Sequence, residues 1–486
     1  MKKNILLIRT FIPTGIGGPV PPLESLYIFS QIVENCISSY NLKIIDMGIG
    51  ALSLEDVSEI ITDCKPSFII FQSLAWEAEI VHRLASFSKK LNKHISTIVT
   101  SQLAFTAQEF LLTDTNIDFV LYGEADLTIP TLLNTLDSKS DLSSVEGIIF
   151  REEGNTIKTT LAKAPSNLDD INISSEAWDS IDVKAYSKYS NWNGSIKEDF
   201  YIPILSSRGC PFTCEYCRDN CSKQFIPRSP ENVISEIKFL NEKYGAKEFH
   251  FFDSVFNYDI ARAKRICELI IDSKMNLSLA FPHGLRADLM TDELIDLLKK
   301  AGTYKLVYGI ETASQRLQHE IKKNLDINKV NEIISKTSNK GIIVGGYFML
   351  GFPSEKEKEM NETINFAVNS DLDIASFFKV TSYDEIVDIY KNMQQKGDFT
   401  NISQDFKDLG YYSDKRSLSI LSPKKLNIQI IKAQRKFYLN TKRIIRGFKK
   451  YPKKTAYLKN LFFAFGLILQ GFIMENLSKE STDSNS

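Results

Sequence analysis

The sequence predicts an α/β protein in three parts: an N-terminal doubly wound, Rossmann-like domain, a central partial (β/α)6 barrel and a C-terminal helical region. Three observations predict it. Short apolar runs alternate with amphipathic helical patterns over residues 1–140, as in a doubly wound sheet. The alternation resumes at Tyr201 and keeps a regular beat through the central region. At 486 residues the chain is too long for one core, so two or three domains are expected. The boundaries fall at 1–140 for the first domain, 141–195 for a hairpin and linker, 196–385 for the barrel, 386–477 for the helical region and 478–486 for a polar, disordered tail.

In the first domain, strands are expected at 4–8, 42–46, 68–71, 96–100 and 119–121, and helices at 23–34, 55–64, 78–91 and 127–136. Ligands of such sheets sit beyond the carboxyl ends of the strands, which points to the loops 10–22, 72–76, 101–106 and 122–126. No Gly-x-Gly-x-x-Gly opens a helix after the first strand, which argues against a nicotinamide or flavin site. Two short runs around Gly154-Asn155 read as a hairpin, and 167–194, rich in Asp, Ser and Asn, reads as connection. Further on, strands at 201–205, 248–252, 277–280, 305–309, 344–350 and 374–380 interleave with helices at 231–244, 260–273, 292–301, 329–340 and 355–369. Six strands are too few for a closed eightfold barrel, so an open one is expected, with its active site at the strand carboxyl ends.

One loop carries the chemistry. Cys210, Cys214 and Cys217 follow the first barrel strand with C-x3-C-x2-C spacing. Three close thiolates suit a soft metal centre, and a 4Fe-4S cluster needs four ligands, so a loop supplying three leaves one iron open for a substrate or cofactor. Cys221 follows at x3, and a four-thiolate zinc site is the alternative, cramped for ligands on so short a loop. With seven cysteines and the hydrophilic start Met1-Lys2-Lys3-Asn4, free thiols in the cytoplasm are expected rather than disulfides. Cys36, Cys64 and Cys267 lie in apolar helical patterns and read as packing residues.

The segment Cys210-Pro-Phe-Thr-Cys-Glu-Tyr-Cys217 resembles the signature of the radical S-adenosylmethionine (SAM) enzymes, with Tyr216 as the aromatic residue before the third cysteine. The resemblance implies a 4Fe-4S cluster on Cys210, Cys214 and Cys217, and SAM bound at the open iron by its amino and carboxylate groups. It also implies SAM contacts from Asp253 (amino group), Arg286 (carboxylate, in Gly284-Leu-Arg-Ala-Asp288) and Glu311 (ribose, in Tyr308-Gly-Ile-Glu-Thr-Ala-Ser314), with Tyr216 beside them. Ordinary readings stand next to these: a cap or turn for Asp253 and Glu311, an inter-loop ion pair for Arg286. Gly345-Gly-Tyr-Phe-Met-Leu-Gly-Phe-Pro353 resembles the family's fifth-strand segment, whose glycines admit adenine with Met349 or Leu350 on the ring; a strand bulge is the plainer reading.

The N-terminal part resembles the cobalamin-binding domain of the same enzymes, on Pro21-Pro-Leu-Glu-Ser-Leu-Tyr27 and Asp118-Phe-Val-Leu-Tyr-Gly-Glu-Ala-Asp126. Cobalamin contacts from Ser73, Ser101, Gly123 and Glu124 are implied. Arg435-Lys-Phe-Tyr-Leu-Asn440 echoes a family element that helps close the structure. Three departures stand out. The Asp-x-His-x-x-Gly motif is absent, the expected Gly-Gly-Pro-His-like turn reads Thr100-Ser-Gln-Leu-Ala104, and the usual Pro-Gly-Thr after the sixth strand reads Thr381-Ser-Tyr-Asp-Glu385.

Charge narrows the partners. Lys plus Arg (59) balance Asp plus Glu (60), so no global field favours nucleic acid. From Lys415 to Met474 there is no acidic residue, and the apolar run after residue 457 is shorter than a bilayer span. This region reads either as a helix packed on the barrel with a solvated basic face or as a peripheral membrane contact. The expected function is cobalamin-dependent methylation of an unactivated carbon in a small-molecule, lipid or peptide substrate, with an electron donor such as flavodoxin or ferredoxin. Radical cyclisation or rearrangement on the same scaffold is the alternative enzyme, and a non-catalytic cobalamin or redox sensor the alternative class.

Overall fold

The computed structural model describes residues 2–12, 18–161, 164, 165, 167–189, 196–217, 223–381, 385–396, 417–455, 457, 458, 462 and 466. Cys221, the substrate-side residues 382–384 and the polar tail lie outside them. The chain forms two compact units, Met1–Tyr189 with Ser382–Ser413, and Ser190–Thr381 with Asp414–Ser486.

The first unit is built on a seven-stranded sheet of order β2-β1-β3-β4-β5-β6-β7. Strands β1 (Lys3–Arg9), β2 (Tyr40–Asp46), β3 (Phe68–Gln72), β4 (Ser96–Thr100) and β5 (Phe119–Leu121) are parallel. Their apolar runs, such as Ile5-Leu6-Leu7-Ile8, are buried on both faces, as in a sheet covered by helices on each side. Those helices are α1 (Leu23–Asn35), α2 (Leu54–Cys64), α3 (Ala78–Leu91), α4 (Ser101–Ala107) and α5 (Ala125–Ser138), with the short α6 (Ser175–Asp179) beyond. Strand order reverses at β1, which puts a ligand crevice at the carboxyl ends of β1 and β3. Ser53 and Asp56 form the capping box that starts α2.

Two features differ from the sequence reading. The hairpin of β6 (Ile148–Glu152) and β7 (Asn155–Lys158) is not part of a linker; β6 pairs antiparallel with β5 and extends the sheet. β5 would otherwise be a bare edge, and β6 covers it while burying Ile148, Ile149 and Phe150. Residues 101–106, expected as a loop, lie in α4 (Ser101–Ala107) directly after β4, because Ser101 takes a left-handed φ of +66° and turns the chain within one residue.

The second unit holds six parallel strands: β8 (Ile202–Ile204), β11 (Glu248–Phe251), β12 (Ser278–Leu285), β13 (Thr303–Glu311), β14 (Ile343–Leu350) and β15 (Ile374–Lys379), with β9 (Ser207–Arg208) and β10 (Ile226–Pro227) pairing separately. The six are hydrogen-bonded strictly in chain order, so right-handed crossovers place every intervening helix on one face, and the sheet is the open barrel expected. The covering helices are α7 (Pro230–Tyr244), α8 (Ile260–Ser273), α9 (Asp292–Lys300), α10 (Gln315–Glu320), α11 (Ile327–Asn339) and α12 (Glu357–Asn369). α7 shows local coding in full: Ser229 caps its start, Pro230 occupies the first turn and Gly245 ends it at φ +69°.

After the barrel, α13 (Glu385–Lys396) belongs to the first unit, where Ile386, Ile389, Tyr390 and Met393 join its core. The helices α14 (Pro423–Tyr438) and α15 (Thr441–Lys450) return to the second. The Tyr438 hydroxyl donates to the Ala375 carbonyl at 2.9 Å and closes the open edge of β15. No described helix is long and apolar enough to cross a membrane.

Candidate active site

The cysteine loop leaves the carboxyl end of β8 and is pinned at both ends. β9 and β10 pair across its base, Ile226 with Arg208 and Pro227 with Ser207. Asp253, just past β11, accepts hydrogen bonds from the Ser206 backbone N–H (3.2 Å) and from the hydroxyls of Ser206 (2.6 Å) and Ser207 (2.5 Å). The buried Arg228 donates to the Leu205 carbonyl at 2.9 Å, and Arg262 holds the carbonyls of Ser206 and Arg228. Asp253 therefore anchors the strand end from which the loop departs.

Within the loop, Cys214 is buried and Cys210 and Cys217 are half-buried. The Cys217 N–H donates to the Cys214 carbonyl at 3.1 Å, and Glu215 N–H to the Ile321 carbonyl at 3.0 Å. Among the described residues no three His, Cys, Asp or Glu side chains converge closely enough to hold a metal ion. The three thiols share one short loop. As a donor set they still fit an iron–sulfur cluster: soft sulfur ligands on one short segment, with the chain fixed on either side.

Tyr216 turns into the barrel mouth beside Leu317, Ile321, Met349, Phe352 and Val380. Its hydroxyl accepts from Lys323 Nζ at 3.0 Å, and the same ammonium lies 3.3 Å from Glu311 Oε1. Burial, with the Glu311 carboxylate next, holds the Tyr216 phenol well above its usual pKa. Glu311 ends β13 at a register shift against β14 and has φ +69°. The bulge aims its side chain across Gly309, where a Cβ would meet Glu311 Oε1 at 3.0 Å and Lys323 Nζ at 3.1 Å. Glycine at 309 makes room for the pair.

Arg286 lies over the Phe212 ring at 3.8 Å, forks onto Asp288 at 3.0 and 2.8 Å, and donates to the Lys323 carbonyl at 3.0 Å. Its guanidinium thus bridges the cysteine loop to the segment carrying Lys323. The glycines of β14 are ladder-paired rather than bulged. A Cβ at Gly345 would meet Val307 at 2.9 Å, and one at Gly346 would meet Leu372 at 2.8 Å, so both serve close packing inside the sheet.

In the first unit, the four expected residues sit at the carboxyl ends of β3, β4 and β5. Ser73 is buried and bonded to Thr10 Oγ1 at 2.9 Å, and Thr10 donates to Glu77 at 2.7 Å. Ser101 Oγ bonds to Glu24, whose other oxygen accepts from Thr100 Oγ1 at 2.9 Å. Burial raises the pKa of Glu24, and the negative fields of Asp126 and Glu124 add to it. Glu124 is the N-cap position of α5, and a Cβ at Gly123 would meet Leu161 at 2.9 Å. The Thr100-Ser101 pair, which opens one of the departures from the family pattern, therefore holds Glu24 of the Pro21–Tyr27 segment.

Sequence reasoning missed Lys323, Arg228, Arg262, Ser206 and Ser207. A lysine inside Ile321-Lys-Lys-Asn324 carries no motif, and only tertiary contact reveals it. Ser206 and Ser207, adjoining the first cysteine, were the one pair with a positional cue.

Residues 204–367, from the end of β8 into α12, match the radical SAM superfamily. The chain carries a radical SAM domain. Over a wider span, an uncharacterised methyltransferase of Pyrococcus horikoshii is 27% identical across 78% of this chain and 81% of its own length. The cytidylyl-2-hydroxyethylphosphonate methyltransferase of Streptomyces wedmorensis is 23% identical across 76% of each chain. Among solved structures, the radical SAM methyltransferase TsrM from Kitasatospora setae, with cobalamin and a 4Fe-4S cluster bound, superposes with TM-score 0.64 at 15% identity, over 78% of this chain and 72% of that one. The cobalamin-dependent radical SAM enzyme OxsB, with aqua-cobalamin bound, gives 0.66 at 15% identity over 98% and 81%. The fold of both units, Rossmann-like sheet and radical SAM barrel, is thus the fold of these enzymes.

Proposed function

We propose that the protein is a cobalamin-dependent radical SAM methyltransferase that methylates an unactivated carbon of a small-molecule, lipid or peptide substrate in the cytoplasm. The observation that carries this reading is the pinned three-thiol loop at the end of β8, whose Tyr216 accepts from Lys323 beside Glu311 in the barrel mouth. Cys210, Cys214 and Cys217 would hold the 4Fe-4S cluster. When bound, the cluster supplies the electron that cleaves SAM, and cobalamin supplies the methyl carrier. An electron donor such as flavodoxin or ferredoxin would serve the cluster.

The chain's own residues then divide the remaining work. Glu311 accepts hydrogen bonds from the SAM ribose, and Tyr216 with Met349 gives the adenine an apolar wall. Asp253 and Arg286 hold the cluster loop in place through Ser206, Ser207 and Phe212, and Arg286 would pair with the SAM carboxylate. In the first unit, Ser73, Ser101, Gly123 and Glu124 form a rim at the strand ends. Its hydroxyl and carboxyl acceptors, Glu24 included, match a macrocycle edged with amide N–H donors.

The test is isotopic. With methyl-labelled SAM, reductant and the substrate, label in the product supports methyl transfer; label left wholly in methionine sinks it. That second outcome would favour radical ring closure, a reading supported by a further relative, the anaerobic magnesium-protoporphyrin IX monomethyl ester cyclase of Synechocystis, 24% identical over 75% of this chain and 71% of its own length.

A further inference from the structure

The helix α15 has its faces reversed. An amphipathic helix on a globular unit ordinarily turns apolar side chains inward and charges outward. Here Arg443, Arg446 and Lys450 point into the unit. Arg443 is buried, lies over the Phe437 ring at 3.6 Å, and donates to the carbonyls of Leu372 (2.8 Å), Phe437 (2.7 Å) and Val368 (2.9 Å). Arg446 pairs with Asp371 at 2.9 Å and Asp373 at 2.8 Å, and Lys450 with Asp373 at 2.9 Å. These cations fix the helix to the turn that precedes β15.

The outward face is apolar. Ile445 is 57% exposed and Phe448 43%, one helical turn apart. Lys442 and Lys449, both exposed, flank the pair at helical spacing, and Lys454 Nζ lies 5.3 Å from the Phe448 ring centre. Leu458 and Phe462, 41% and 73% exposed, continue the apolar character along the chain. No Asp or Glu occurs between Lys415 and Met474, so nothing in this stretch of sequence opposes an anionic partner. Cations therefore lie on both sides of the helix: Arg443, Arg446 and Lys450 are held against the unit, while Lys442 and Lys449 stay exposed beside Ile445 and Phe448.

We propose that the outer face of α15 docks on an anionic lipid surface, with Ile445 and Phe448 entering the acyl boundary and the exposed Lys442 and Lys449 meeting the headgroup phosphates. Charge complementarity selects this occupant. A protein groove would match the apolar pair, but not the ring of lysines without an acidic counterpart; lipid phosphates match both. The helix lies in the interface plane, since it is too short to span a bilayer and its opposite face is tied to the barrel.

The test uses the full chain and sedimentation with vesicles of phosphatidylglycerol mixed with phosphatidylcholine, or of phosphatidylcholine alone. Partition onto the anionic vesicles is expected, weaker by ~10-fold or more on phosphatidylcholine and at high salt. A chain carrying Ile445→Asp and Phe448→Asp should lose ~10-fold or more of that partition, with an unchanged melting curve because both side chains are exposed. Lys442→Glu with Lys449→Glu should lose a comparable amount. The proposal is overturned if the wild-type chain stays in solution, if it binds both vesicles equally, or if the Asp variant partitions as before, which would assign binding to other residues. It is equally overturned if velocity sedimentation without lipid shows a dimer that the Asp variant abolishes, since the face would then belong to a second copy.

Discussion

Glu311 holds a left-handed φ of +69° that costs a non-glycine residue ~1–2 kcal/mol, and such a conformation persists where surrounding contacts over-determine it. Lys323 and the bulge against β14 do so here. Glu311→Gln keeps the shape and removes the charge, so SAM affinity, measured by equilibrium dialysis on anaerobically reconstituted protein, should fall ~10- to 100-fold, the range of a hydrogen bond to a charged group. Unchanged affinity would remove Glu311 from the ribose. Glu355 gives a second prediction at this scale. Its Oε2 accepts from the Gly351 and Phe352 N–H groups at 2.6 and 3.2 Å, its Oε1 is buried without a partner among the described residues, and burial raises its pKa from 4.5 to about 7. Such a carboxyl binds more protons folded than unfolded, so its contribution to stability is fully present below the unfolded pKa, falls as pH rises, and is lost above about 7. Glu355→Gln removes that dependence: thermal melts of variant and wild type should agree near the unfolded pKa and diverge by ~3 kcal/mol above pH ~7.5, the variant being the more stable. Parallel curves would show that Glu355 does not titrate in this range. The site was legible in sequence where it is local, in Cys210, Cys214, Cys217 and the Glu311 segment. Lys323, Arg228 and Arg262 escaped because their roles exist only across distances in the chain that no spacing rule spans.

At the scale of elements, strands were legible because fully buried parallel strands are written as continuous apolar runs, and each expected strand of both sheets is present. Extents were less so. β12 and β13 run on to Leu285 and Glu311 through register shifts, and a bulge leaves no mark in hydrophobic periodicity. The allegiance of α13 was also invisible, because an amphipathic pattern says that a helix packs but not on what. Its anchor is polar: the Tyr390 hydroxyl lies 3.0 Å from His82 Nε2, and His82 Nδ1 lies 2.7 Å from Asp114, all three buried. Burial pushes the Asp114 carboxyl up, but the hydrogen bond and charge of His82 together with the Asn116 hydrogen bonds hold it below its usual pKa. Tyr390→Phe keeps the ring in the core and removes one buried hydrogen bond, so denaturant unfolding of the full chain should show a loss of ~1–2 kcal/mol. A larger loss would mean that the ring itself has moved, and no loss that α13 is held by Ile386, Ile389 and Met393 alone.

At the scale of the whole molecule, the residues proposed for the two cofactors belong to different compact units: the thiol loop to the second, and Glu24, Ser73, Ser101, Gly123 and Glu124 to the first. Each unit has its own sheet and its own buried core, and that independence separates the two halves of the proposed chemistry experimentally. A chain with Cys210→Ala, Cys214→Ala and Cys217→Ala removes three small side chains from a loop whose ends stay pinned by Asp253 and the β9–β10 pair, so the fold should persist. After anaerobic loading with iron, sulfide and cobalamin, that variant should lose the visible absorption of the cluster and its iron while retaining cobalamin through gel filtration. The reciprocal change, Glu24→Gln with Ser101→Gly, leaves the cysteines untouched and alters the acceptors at the ends of β4 and α1; it should keep the cluster and change cobalamin retention. Loss of both cofactors in either variant would mean that binding is cooperative across the units and not a property of each. Retention of iron by the triple alanine chain would remove the three thiols from the cluster, and with them the observation on which the proposed function rests.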